Sequence, residues 1–204
     1  MRYSIYILLL LVLFSCKKED DPTPIPPPSE PPTPSADVYI YEPCDTSTGV
    51  ARASKLGNDW ISGVELIRYE ANDTLCWYLN LLTCTSYNGF IREDIFLGGF
   101  TDSDPIGTYP IVHSTTLLGY LGIYAFSRYG LLGDDGDLLL DYYKPDTSAA
   151  TSPFLQITRW DTLARIAEGR FHLAYRVTHL PTSDPKHYEF MEFSNGHFWA
   201  KIPE

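Results

Sequence analysis

Side-chain alternation is the constraint that most narrows what this chain can fold into. In LCWYLNLLTCT, Leu75, Trp77, Leu79 and Leu81 fall on one side and Cys76, Tyr78 and Asn80 on the other. This is the period-two pattern of a strand with one strongly apolar face. GRFHLAYRV repeats it, with Phe171, Leu173, Tyr175 and Val177 set against His172, Ala174 and Arg176. Short apolar runs rich in Tyr, Phe, Ile, Val, Thr and Trp fill the rest of the chain, broken by Gly, Pro, Asn and Asp. That vocabulary suits a pleated, half-buried surface.

Turn chemistry sets the number of strands. LGNDW and EANDT read as tight hairpin loops, and FSNGHF carries Asn195-Gly196, a dipeptide suited to the two positive-φ positions of a type I′ turn. Strands are expected near 50–55, 60–69, 75–85, 91–97, 108–112, 120–127, 138–143, 154–160, 164–178, 187–194 and 197–202. DTLARIAEG is the one stretch with helical character, and Gly169 and its brevity argue against a helix. The expected class is all-β: an antiparallel β-sandwich or partly open barrel of about ten strands.

The N-terminus carries an address. Arg2 precedes an apolar stretch from Ile5 to Phe14, about half the roughly 20 residues that a membrane-spanning helix needs. It therefore reads as a secretory signal over 1–15. LFSC resembles a bacterial lipobox, with Cys16 as the lipid-bearing residue, and CKKEDD resembles the charged export signal of Bacteroidota surface lipoproteins. The resemblance implies an outer-membrane lipoprotein facing the cell exterior, held by acyl chains that each contribute about 0.8 kcal/mol per buried CH₂. A proline-dense run from Pro22 to Pro34 favours extended polyproline II at about 3.1 Å per residue, a semi-rigid stalk of roughly 40 Å. Residues 16–36 are thus read as lipidated cysteine and stalk, and 37–204 as one β-rich domain.

Loss of the signal removes Arg2 and leaves 14 basic against 26 acidic residues, a net charge of −12. Nucleic acid and anionic lipid head groups would be repelled by such a chain. Cys44, Cys76 and Cys84 remain. Cys76 and Cys84 lie in one expected strand, some 26 Å apart if it is straight, so any bridge should join Cys44 to Cys76 or Cys84. Three buried thiols without a bridge is the alternative. No Cys or His spacing suggests zinc, and neither a metal nor a cofactor is expected.

Enzymatic motifs are missing: the sequence holds no GxSxG, HExxH, P-loop or GxGxxG. His113, His172, His179, His187 and His197 are scattered singly and read as rim or solvent-facing residues. Asp134, Asp135 and Asp137 in GDDGDLLLD could hold calcium, but their spacing does not match an EF-hand, and an acidic turn is the simpler reading. Aromatic content points to binding. GYLGIYAFSRYG sets Tyr120, Tyr124 and Phe126 in alternation, a platform on which sugars stack, and Trp160 is a further candidate. Core packing would account for the same rings. Gly57 and Trp60 approach the first-strand Gly-x-Trp of lipocalins with one residue too many, which keeps a carrier of apolar ligands as an alternative, beside a hydrolase with an unrecognised site.

The order GTYPI, LQITRWDTLARIAEGRFHLAY and FSNGHFWAKI resembles an uncharacterised family of small β-rich Bacteroidota lipoproteins. Asp73-Thr74-Leu75 and Asp161-Thr162-Leu163 resemble the O-glycosylation acceptor of the same bacteria, which implies glycans on Thr74 and Thr162 where those turns are exposed. The expectation is a non-enzymatic binding or accessory module, joined to the membrane through its N-terminal lipid and facing glycan or protein partners.

Overall fold

Where apolar residues alternate over a buried face, the backbone is extended, and a buried extended backbone satisfies its polar groups chiefly through neighbouring strands. The computed structural model describes residues 40–71, 74–86, 88–101, 105–112, 125–133, 139–179 and 188–204. Among the described residues every regular element is a strand: β1 (Glu42–Pro43), β2 (Gly49–Lys55), β3 (Asn58–Ala71), β4 (Thr74–Cys84), β5 (Ile91–Thr101), β6 (Gly107–Val112), β7 (Ala125–Leu132), β8 (Leu139–Pro145), β9 (Phe154–Asp161), β10 (Ile166–His179) and β11 (Phe190–Lys201).

The pairings run in a ring. β2 to β5 form an antiparallel meander, β5 pairs β7, and β7 pairs β8. β8 pairs β10, β10 pairs β11, and β11 returns to β2. Ring closure removes the free edge that would otherwise template association with another chain. Two stations of the ring are filled in tandem. β10 pairs β8 over 175–179 and β9 over 166–172. β6 pairs β9 and meets β7 only at Ile111↔Ala125 and Val112↔Phe126, a short parallel contact in an otherwise antiparallel 11-stranded sheet. The all-β expectation holds, and the hydrogen bonding is that of a barrel. We call the end bearing the β2–β3 turn the upper end and the opposite one the lower.

Alternation decides what fills the ring. Trp77, Leu79 and Leu81 of β4 and Phe171, Leu173 and Tyr175 of β10 are all buried in one core. Across the upper half, Tyr129 packs against Tyr143, Tyr175 and Phe193 at centroid distances of 4.8, 5.7 and 5.7 Å, and Trp60 meets Phe193 edge-on at 4.9 Å. Such pairs contribute about 0.5–1.5 kcal/mol each beyond their burial. The axis at this level is occupied by rings.

Several turns differ from expectation. LGNDW does form a two-residue hairpin, with Leu56 at φ 47° and Gly57 at φ 86°. Asn195-Gly196 does not turn the chain. β11 is continuous through it, and the dipeptide forms a bulge at which the register with β2 shifts between Ser194 and His197. Asn195 adopts φ 53°, which suits a bulge as well as a type I′ turn. Gly196 is required for space, since a Cβ there would lie 2.3 Å from the Phe171 ring. DTLARIAEG holds no helix: residues 162–165 turn the chain between β9 and β10, with the Asp161 carboxylate accepting from the Ala164 N–H at 2.7 Å, and 166–169 open β10. β7 begins at Ala125, and 120–124 of the expected strand lie outside the described residues. Leu75, expected on the inner face, is exposed where β4 begins.

Cys44 and Cys84 form a disulfide with Cα atoms 5.0 Å apart, and Cys76 is a buried free thiol. The bridge fastens β1, whose pairing with β4 is only two residues long, to the end of β4. Closing a loop of this length, 40 residues in separation, stabilises by about 4 kcal/mol in the chain-entropy picture. Cys44→Ser/Cys84→Ser should therefore unfold at lower urea, losing about 2–4 kcal/mol. A reductant should shift the native protein by a similar amount and leave the double variant unchanged.

Candidate functional site

Lys55 and Glu93 form a buried ion pair, and with Asp141 they are the most deeply buried charged side chains among the described residues. Lys55 ends β2 on the parity of Ala51, and Glu93 shares the inward parity of Ile95 and Leu97 on β5, so both project into the upper barrel. Glu93 is fully buried and Lys55 is 2% exposed. The Lys55 ammonium donates to Glu93 Oε1, as does the Tyr129 hydroxyl at 2.8 Å. Oε2 accepts from Trp60 Nε1 and Thr83 Oγ1, both at 2.9 Å. A carboxylate offers about four lone-pair sites, and all four are taken.

Burial pushes the Glu93 carboxyl up, but the Lys55 charge and the hydrogen bonds from Lys55, Trp60 and Tyr129 outweigh it and hold the group below the usual range. Burial, followed by the Glu93 charge, drives the Tyr129 phenol well above its ordinary value. The site therefore holds one fixed ion pair and a neutral phenol. It contacts no solvent and has no spare acceptor, so its chemistry is that of a structural keystone.

An open cleft of about 310 Å³ lies at the lower end, lined by Arg68, Trp77, Arg165, Ile202 and Glu204 among others. Arg165 is held in place, donating to the Ile202 carbonyl at 3.0 Å and to Glu204 Oε1 at 2.7 Å. Arg68 sits 5.7 Å from the Trp77 ring centre. Behind Trp77 stands Trp160, half-buried, edge-on to Trp77 at 5.3 Å and to Phe100 at 6.0 Å. Trp160 thus joins the core cluster at the barrel's lower rim.

A different tryptophan faces outward. On β11, Phe198 and Ala200 point in while His197, Trp199 and Lys201 point out, and Trp199 is 40% exposed. Cross-strand register places Arg52, His197 and Arg170 in one row over β2, β11 and β10. The next row is Val50, Trp199 and Glu168. Directly opposite side chains in a sheet lie about 4.5–5.5 Å apart at Cβ and diagonal ones about 7–8 Å, so Arg52, Arg170, His197 and Lys201 ring the indole. Glu168, the acid in that ring, shares Arg159 with Asp161, at 3.1 and 2.9 Å respectively. Asp45 is held low by Ser47 hydrogen bonds and then by Lys201. The side chains of Arg52, Arg170, His197 and Trp199 make no hydrogen bond, ion pair or ring contact among the described residues.

Of the residues singled out from sequence, Cys16, Tyr120 and Tyr124 lie outside the described residues, as do Asp134, Asp135, Asp137, His113 and His187. His172 is a correction. It occupies the outward face of β10 as expected, yet it is buried beneath Phe154, whose ring stacks on it at 6.4 Å. Thr162 stands in an exposed turn beside Leu163, which is 97% exposed. The Trp199 face was not anticipated, though its parity with His197 and Lys201 in HFWAK was a usable signal. No protein-family model, curated protein or solved structure matches this chain.

Lys55→Met should cost about 3–5 kcal/mol in urea unfolding at pH 7, because it strands a buried carboxylate. The folded Glu93 pKa lies below the ordinary glutamate value, so its stabilisation is present above about pH 4.3 and is lost as pH falls through the depressed folded value. Glu93→Gln should flatten that acid limb in a pH series of melting temperatures.

Proposed function

We propose that this chain is a lipid-anchored cell-surface binding module that recognises its partner on the outside of the barrel wall. The observation that carries this reading is the distribution of aromatic rings and charge. Trp60, Tyr129, Tyr143, Tyr175 and Phe193 fill the upper axis around a saturated ion pair, whereas Trp199 and its basic neighbours face solvent. A carrier needs an apolar chamber at the level where these rings stand. A hydrolase needs a carboxylate or base within reach of substrate, and Glu93 is sealed from solvent with all its lone pairs engaged.

The lipobox at Cys16 and the charged residues behind it support the address, and the proline run supports a spacer between membrane and barrel. The acidic balance of the chain suits a domain kept soluble above an anionic surface.

Cys16→Ser should release the protein from the membrane fraction or halt its maturation, read by fractionation and by intact mass. A variant that is processed normally and still pellets with membranes would overturn the anchor. In the native protein, protease added to intact cells should remove the domain. An intact mass at the value of the acylated polypeptide alone would dispose of a glycan on Thr162.

A further inference from the structure

We infer that the Trp199 face binds a carboxylate-bearing polysaccharide, an inference that rests on the reading of this chain as a surface-held binding module. Three observations converge on this ligand. The face is cationic on a protein whose net charge is −11. The side chains of Arg52, His197 and Arg170 stand in one row with no partner among the described residues, while Glu168, opposite Trp199 in register, shares Arg159 with Asp161. Elsewhere Arg128, Arg165 and Arg176 each have an acid beside them, Asp94 at 3.4 Å, Glu204 at 2.7 Å and Asp146 at 2.8 Å. Unspent guanidinium groups on an acidic protein are the complement of an anion from outside.

The indole narrows the anion to a sugar. Trp199 is 40% exposed, so part of the indole is open to a ligand laid against the wall. An exposed indole offers a flat apolar surface, which suits the C–H face of a pyranose. Guanidinium groups bind carboxylates through paired N–H donors, a fit that a uronic acid satisfies. Arg52 and Arg170 are separated by two interstrand spacings, about 9.5 Å, with His197 between them. A polymer carrying repeated acidic groups can engage both while one sugar stacks on Trp199. The surrounding acidity confines the attraction to about one Debye length, roughly 8 Å at physiological salt, so contact depends on this patch and weakens as salt rises.

The test uses the full-length protein in detergent, with polygalacturonate as the uronate probe. Dextran serves as the neutral glycan and poly-glutamate as the acidic peptide. Polygalacturonate should bind and dextran should not. Trp199→Ala and Arg52→Gln/Arg170→Gln should each weaken binding by about tenfold or more, equivalent to about 1.4 kcal/mol. The double variant should also flatten the salt dependence, while Arg128→Gln should bind as the native protein does. Unchanged melting temperatures would show that the outward-facing substitutions leave the barrel folded. Absence of polygalacturonate binding, or binding that the double arginine variant leaves within twofold, would overturn the inference. Equal binding to poly-glutamate would overturn it in favour of an acidic protein. None of these results bears on whether Cys16→Ser frees the protein, so the ligand and the anchor fail separately.

Discussion

One buried carboxylate organises the upper barrel. Glu93 comes from β5, Lys55 from β2, Trp60 from β3, Thr83 from β4 and Tyr129 from β7, so five strands of the ring meet at one group. Burying an ion pair costs several kcal/mol per charge, and the attraction repays it only if every remaining lone pair finds a donor. Here each does. What the arrangement provides is registry: a slip of one residue in any of these strands would turn its contribution away from the axis.

Tyr129 couples this polar centre to the apolar core. Its hydroxyl donates to Glu93 while its ring touches Tyr143, Tyr175 and Phe193, and Tyr175 in turn hydrogen-bonds Ser127. The upper barrel is consequently filled by side chains that are apolar in body and polar at the tip. Chains of this kind need exact placement, because a phenol displaced from its acceptor becomes a buried unsatisfied donor costing about 1–3 kcal/mol. A rigid wall follows, and a rigid wall can hold outward residues such as Arg52, His197 and Arg170 in a fixed row.

Most strands were legible because alternation reports burial on one face, and Trp77, Leu79, Leu81, Phe171, Leu173 and Tyr175 all point where their parity says. Asn195-Gly196 misled because a bulge and a type I′ turn make the same demand for positive φ, and no local signal distinguishes them. Glu93 and Lys55 escaped notice for a different reason. A charged residue in a strand is taken as outward by default, although Glu93 shares its parity with Ile95 and Leu97. β1 is two residues long and carries no pattern at all; its place is set by the disulfide, whose partner the sequence narrowed to Cys76 or Cys84. The candidate site was the least legible part, since a cross-strand row such as Arg52, His197 and Arg170 exists only once register joins segments more than a hundred residues apart in the chain.

The Cys44–Cys84 bond has a mechanical meaning. Tension arriving through the segment ahead of Ile40 would peel a two-residue strand one hydrogen bond at a time, the weakest way to load a sheet. With the cystine in place the load passes across a covalent link into the end of β4, a strand flanked on both sides by long neighbours. β4 is hydrogen-bonded to β3 on one side and β5 on the other, so a load delivered there is shared among three strands.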